Sequence, residues 1–266
     1  FDLEEAIFDV MDMLSPLAAQ KHINMAFYFA DNVPQYVLGD ALRFKQILTN
    51  LISNAIKFTP DGEIIVRARV EHDDIGQCLI HFSVQDSGIG LSGTDRKKLF
   101  ESFSQGDTSV TRQFGGTGLG LAISKQLVHL MQGQIGFEDN QERAPTEKGS
   151  TFWFTAMFAV DEAHAQQHPN FKEIQVVSYL AHPATANVLR HYLENYAVRH
   201  IEAASILDLF SRLKDVSGLQ DNTWLIVDHS GDTEALLKEI RTRYQGNLAV
   251  YGYQMSLNAD MLHEYR

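Results

Sequence analysis

Cysteine is almost absent. Cys78 stands alone among 266 residues, so no internal disulfide can form, and the chain is expected to work in a reducing compartment. Positive charge is short too: Lys and Arg total 22 against 34 Asp and Glu, a formal net charge of -12. That balance argues against a general nucleic-acid binder and against a surface drawn to anionic lipid, while leaving room for a local basic pocket that meets phosphates. Long apolar runs are missing. The longest, Phe152–Val160, covers about nine residues where a bilayer span takes about 20, and no secretory signal is visible. The chain opens at Phe1 without a methionine and without a turn before its first helical pattern, so it is expected to be a piece of a longer protein.

What is present is globular. Hydrophobic residues make up 44% and charged residues 21%, enough apolar material for two ordinary cores at this length. Apolar groups at Leu3, Ile7, Val10, Leu14 and Leu17 have helical spacing, with a bend or break expected at Pro16. A strand follows over Ile23–Ala30. Asp40 is placed to cap a helix of about five turns through Leu42, Ile47, Leu48, Leu51, Ile52, Ala55 and Ile56, which ends at the turn signal Thr59-Pro60-Asp61-Gly62. Strands are expected over Glu63–Val70 and Cys78–Gln85, with Glu71–Gln77 as the hairpin connection. A short helix around Asp95–Phe103, a polar loop, a helix over Gly118–Met131 and strands around Gln134–Glu138 and Ser150–Val160 complete the first half. The polar run Asp161–Asn170 reads as a linker. Strands and helices then alternate: Ile174–Leu180, 184–195, Val198–Glu202, 205–214, Trp224–Val227, 233–243, Leu248–Tyr253. This alternation predicts a parallel sheet, ending inside a fourth helix and before a fifth strand.

Four segments carry the chemistry, in order: NLISNAIKFT (50–59), DSGIG (86–90), FESFSQ (100–105) and GGTGLGL (115–121). Asn50, Asn54 and Lys57 are four and three apart, so they share one helix face. An amide oxygen is a hard ligand for Mg²⁺, and a lysine brings a point charge to phosphate oxygens; a solvated polar stripe has the same spacing. Asp86 ends an apolar strand, where its carboxylate can accept from an exocyclic amine while Gly88 and Gly90 let a ring approach. An ordinary turn acid would look alike. GGTGLGL opens a helix whose free N–H groups suit an anion. It lacks the Gly-Lys-Ser/Thr of a P-loop and the register of a dinucleotide fingerprint.

Taken together, residues 1–160 resemble the catalytic, ATP-binding domain of sensor histidine kinases, within the wider family that includes gyrase, Hsp90 and MutL. The resemblance implies a two-layer α/β sandwich, the Bergerat fold, binding ATP with Mg²⁺. It assigns Asn50, Asn54 and Lys57 to Mg²⁺ and phosphates, with Asn54 as the metal ligand, and Asp86, Gly88 and Gly90 to adenine. Phe100 and Phe103 would flank a mobile lid, and Gly116, Thr117, Gly118, Leu119 and Gly120 would hold phosphates. Arg112 would meet the γ-phosphate, and Ser150 in Gly149-Ser150-Thr151 would support adenine. Hydrolysing members carry a glutamate where Asn50 stands, and an amide cannot take a proton from water at neutral pH, so hydrolysis is expected to be poor and transfer to a histidine favoured.

The acceptor histidine of that family lies on a dimerisation helix N-terminal to this domain. Here only His22 precedes the asparagine helix, and it is followed by Ile23; His263-Glu264 lies at the far end of the second half. His164 and His168 have helical spacing without an evident third ligand. Residues 174–266 resemble a response-regulator receiver whose acid pair falls on Leu180 and Ala181, leaving Asp228 in LIVDHS at the acceptor position. The domains are expected at 1–160, a linker at 161–173 and an incomplete flavodoxin-like receiver at 174–266. This is the layout of hybrid sensor kinases of the BarA/GacS type. It implies a cytoplasmic portion of an inner-membrane sensor, partnered by its own dimerisation helices, other kinase domains and a downstream response regulator. The alternatives are an ATP-hydrolysing enzyme and a non-enzymatic nucleotide-binding module.

Overall fold

The structure, a computed structural model, describes all residues except 31, 75, 91–98, 101–118, 141–148, 162, 164–170, 216–221, 229–232 and 252–266. The chain divides into two compact units, Phe1–Gln166 and Gln167–Arg266.

The first unit opens with helix α1 (Leu3–Gln20), capped by Asp2, whose carboxylate accepts from the Glu5 amide at 2.9 Å. Leu3, Ala6, Ile7, Val10, Met11, Leu14 and Ala18 form its buried face. The break expected at Pro16 is absent and the helix runs through. Proline removes the N–H that would bond the Asp12 carbonyl, and the Ser15 hydroxyl donates to that carbonyl instead, at 2.9 Å.

Strands β1 (Ile23–Phe29), β2 (Val37–Leu38), β3 (Gly62–Asp74), β4 (Gln77–Asp86), β5 (Ile135–Asp139) and β6 (Ser150–Val160) form one mixed sheet. β1 pairs parallel to β3, and the β3–β4 and β4–β6 pairs are antiparallel. β6 takes β5 along its first residues and β2 at its last two. The β3–β4 hairpin is longer than the sequence suggests. A register shift between Val70 and His72 lets pairing continue to Asp74 opposite Gln77, beyond the point where apolar alternation stops.

Helices α2 (Ala41–Phe58) and α3 (Gly120–Leu130) pack with α1 on the sheet, giving the two-layer α/β sandwich. Phe44 of α2 meets Phe82 edge-on at 4.9 Å, and Phe82 stacks on Phe154 at 4.9 Å, so one aromatic column ties the helix layer to the middle strands. Among the described residues, no helix is long and apolar enough to cross a membrane.

In the second unit, β7 (Gln175–Tyr179), β8 (Arg199–Glu202), β9 (Thr223–Asp228) and β10 (Asn247–Tyr251) form a parallel sheet in the order β10-β9-β7-β8. Numbered within the unit this is 2-1-3-4, four strands of the flavodoxin-like order. Val177, Leu225 and Val227 pack with Leu209, Phe210 and Leu213 of α5 (Ile206–Asp215) and with Leu237 and Ile240 of α6 (Thr233–Arg243). Helix α4 (Pro183–Asn195) starts on the proline, where its missing N–H costs nothing. The expected fourth helix falls in residues 252–266, outside the described residues.

Candidate functional site

Asp40 caps α2 by accepting from the Arg43 amide at 3.0 Å, as its sequence position predicts. Phe44, Ile47, Leu48, Leu51, Ile52, Ala55 and Ile56 face the core, which leaves Asn50, Asn54 and Lys57 half-buried on the other side. The two amides meet: Asn54 Nδ2 lies 3.5 Å from Asn50 Oδ1. Asn50 in turn donates to the Ser124 hydroxyl of α3 at 2.9 Å, a contact the sequence did not reveal. Lys57 lies over the Phe58 ring, its Nζ 4.9 Å from the centroid.

Asp86 ends β4 only 3% exposed. Both carboxylate oxygens are engaged: Oδ1 accepts from the Gly88 amide at 2.8 Å and Oδ2 from the Ser150 hydroxyl at 2.6 Å. Burial pushes the Asp86 carboxyl above the usual carboxylate range, and the bonds from Ser150 and Gly88 pull it back part of the way. The Ser150 backbone amide also bonds the carboxylate, so its acceptor capacity for an amine is what these donors leave of its two oxygens.

A further pair lies behind it. Asn140, 2% exposed, donates to the Asp86 backbone carbonyl at 3.0 Å and accepts from the Thr151 hydroxyl at 2.7 Å. Thr151 belongs to the Gly149-Ser150-Thr151 segment, but Asn140 does not stand out in the sequence, because it lies 54 positions from the group it holds. Gly149, at φ +94°, passes so close to Asp86 that a Cβ there would collide with the Asp86 carbonyl oxygen. Gly88 similarly abuts the Phe58 carbonyl. The acceptor carboxylate, held by tight backbone packing at Gly88 and Gly149, and the amide oxygens of α2 are groups chemically suited to an adenine nucleotide, with hard oxygen ligands for Mg²⁺.

The remaining candidates divide. Leu119 is the N-cap of α3 and makes no side-chain cap, Gly120 packs on the Asn50 amide, and Phe100 meets Phe152 with ring centroids 6.5 Å apart. Gly90 adopts φ +70° beside Gly149. Phe103, Arg112, Gly116, Thr117 and Gly118 lie outside the described residues, as do His164, His168 and His263. Residue 118 was the expected start of the helix, which is described from Gly120. Among the described residues, no three His, Cys, Asp or Glu side chains gather as a metal site. His22 sits at the α1–β1 junction with φ +55°.

Residues 39–159 match the family model described as histidine kinase-, DNA gyrase B-, and HSP90-like ATPase. The chain is 40% identical over 197 residues to the sensor histidine kinase GacS of Pseudomonas protegens, covering 73% of this chain and 21% of that protein. Over 154 residues it is 38% identical to the signal transduction histidine-protein kinase BarA of Escherichia coli, 58% of this chain and 16% of BarA. The chain thus spans about a fifth of the length of these relatives. Among solved structures, full-length ShkA in complex with AMPPNP superposes with a TM-score of 0.68 at 25% identity, covering 100% of this chain and 56% of ShkA.

Proposed function

From the match of residues 39–159 to the family model described as histidine kinase-, DNA gyrase B-, and HSP90-like ATPase, we propose that the first unit binds Mg–ATP and presents its γ-phosphoryl group to a histidine on a dimerisation helix outside this chain. The observation that carries the reading is Asp86, a buried carboxylate with both oxygens held, packed among Gly88, Gly149 and the Phe58 carbonyl at the end of α2. Its remaining lone pairs accept from the adenine amine. Gly88 and Gly90 let the ring lie against backbone, and Ser150 fixes the carboxylate plane.

On the phosphate side, Asn50 and Asn54 offer amide oxygens, with Asn54 as the Mg²⁺ ligand, and Lys57 offers its ammonium. When bound, Mg²⁺ offsets the charge that builds on the phosphoryl oxygens. In this reading the sequence motifs assign Gly116, Thr117, Gly118, Leu119 and Gly120 to the phosphates, Phe100 and Phe103 to the borders of a lid, and Arg112 to the γ-phosphate. Asn50 donates to Ser124 and has no basic lone pair with which to deprotonate water, which disfavours hydrolysis.

The likeness to GacS and BarA supports placing this chain in the cytoplasmic part of an inner-membrane hybrid kinase that signals to a response regulator. In the same proposal, residues 161–173 link the catalytic domain to a degenerate receiver. The experiment fuses the dimerisation helices back onto the full chain and looks for acid-labile phosphohistidine with Mg–ATP. Label that persists in an Asn54→Ala variant, or phosphate release faster than histidine labelling, would overturn the reading.

A further inference from the structure

The last four carbonyls of α2 have no partner inside the helix, and each finds one elsewhere. Ala55 accepts from the Thr59 amide at 3.0 Å. Ile56 and Lys57 both accept from the Lys21 ammonium, at 2.7 Å and 3.0 Å, and the same ammonium lies 3.3 Å from the Thr59 carbonyl just beyond the helix. Phe58 accepts from the Ile89 amide at 3.3 Å, within the DSGIG loop, and Gly88 is pressed against that same carbonyl. The end of α2 is therefore a joint. On one side is a cation from the end of α1, and on the other the loop that follows Asp86.

We propose that Lys21 is a positioning residue for the nucleotide site, fixing through the α2 C-terminus both the turn that carries Lys57 and the seat of the Gly88–Ile89 loop. The inference rests on the nucleotide reading of that site. An ammonium suits this role because it donates in three directions, matching the three carbonyls it meets, and its charge complements the negative end of the helix dipole. Without it, the Ile56 and Lys57 carbonyls need water where the helix end is half-buried. The turn can then relax by unwinding, which moves Lys57 and the Phe58 carbonyl together. Lys21 itself touches no nucleotide, so its effect is felt through Lys57, Phe58 and Ile89.

The test is calorimetry of Mg–AMPPNP binding to the full chain, with Lys21→Met, Lys21→Gln, Lys21→Arg and, as a stability control, Val10→Ala in the buried face of α1. Lys21→Met should bind about tenfold more weakly, Lys21→Gln should fall between, and Lys21→Arg, which keeps several donors, should come within about twofold of the parent. Val10→Ala should lower thermal stability and leave the affinity of the folded protein unchanged. Amide NMR shifts of Lys57, Gly88 and Ile89 should move in Lys21→Gln before ligand is added. If the parent binds and Lys21→Met and Lys21→Gln bind equally well, Lys21 is only a helix cap and the proposal fails. If Lys21→Met does not fold, Lys21→Gln with parental affinity and unmoved shifts is enough to reject it. A parent that binds no Mg–AMPPNP would overturn the nucleotide reading itself.

Discussion

The backbone N–H of Ala181 donates to Oδ2 of Asp228 at 2.5 Å, joining the end of β9 to the loop before α4. In a receiver, an acid pair at this loop would hold Mg²⁺ against the acceptor aspartate. If residues 174–266 are the degenerate receiver proposed above, the two positions fall on Leu180 and Ala181, and a main-chain amide addresses the carboxylate instead. Phosphoryl transfer to a carboxylate needs its charge offset by a cation, so Asp228 should be a poor acceptor. Incubating the full chain with acetyl phosphate and Mg²⁺ should give no phosphoryl mass adduct. Asp228→Ala should cost about 1 kcal/mol by removing one exposed, charge-assisted bond. An adduct that Asp228→Asn abolishes would show a working receiver.

Asp86 gives the first unit a pH signature. Its folded carboxyl holds a proton to higher pH than in the unfolded chain, because burial outweighs the bonds from Ser150 and Gly88. Above the ordinary aspartate value of about 3.9, the folded state binds more protons than the unfolded one. Stability contributed by this group therefore falls as pH rises through that window, and the cost is fully present above it. Asp86→Asn should flatten this slope and stabilise the nucleotide-free protein at neutral pH. The same change puts an amide NH₂ where adenine offers its own, and should weaken ATP binding by about 1–3 kcal/mol. Melting curves across pH and calorimetry at neutral pH check the two halves separately; a variant with parental slope and parental affinity would contradict both.

How much of this was legible in the sequence depends on the range of the interaction. The Asp40 cap, the helix face shared by Asn50, Asn54 and Lys57, and the parallel second sheet follow from periods of a few residues, and they are where the sequence puts them. The far ends of β3 and β4 were missed because pairing from His72 to Asp74 is backbone pairing under polar side chains, which leaves no alternation to read. The interruption read at Pro16 does not occur, because its compensation lies in a single neighbouring hydroxyl. Asn140 and Lys21 were invisible for a different reason. A polar residue at a strand end or helix end looks like solvated surface until the fold brings a carbonyl to it from 54 or 35 positions away.

Asn140 should matter more than its composition class suggests. Asn140→Ala would leave the Asp86 carbonyl and the Thr151 hydroxyl buried without their partner, a loss of about 1–3 kcal/mol. Asn140→Asp should be worse for binding, since a carboxylate would face the Asp86 carbonyl and add negative charge beside the adenine acceptor. Hydrogen exchange of the β4 amides from Phe82 to Val84 should quicken in both variants, and Mg–AMPPNP affinity should fall in the order parent, Ala, Asp. Equal affinity in all three would mean that the network holds the strand but not the site.

Gly120 offers the sharpest steric test. At the first turn of α3, a Cβ on this residue would overlap Oδ1 of Asn50, with the rest of that amide close behind. The clash falls on the end of a side chain, so the fold can yield by turning Asn50 away from Ser124 or by lifting the start of the helix. Either movement breaks the 2.9 Å bond between α2 and α3 and displaces the amide that Asn54 also meets. Alanine is also the better helix former, by about 0.8–1 kcal/mol, so Gly120→Ala need not lose stability. The expected outcome is a protein that melts within a few degrees of the parent yet binds Mg–AMPPNP at least tenfold more weakly, by displacing groups on the phosphate side. Adenosine, which lacks phosphates, should bind both proteins alike. Equal loss for adenosine and Mg–AMPPNP would place the damage at Asp86 instead, and no loss for either would remove Asn50 and the α3 start from the site.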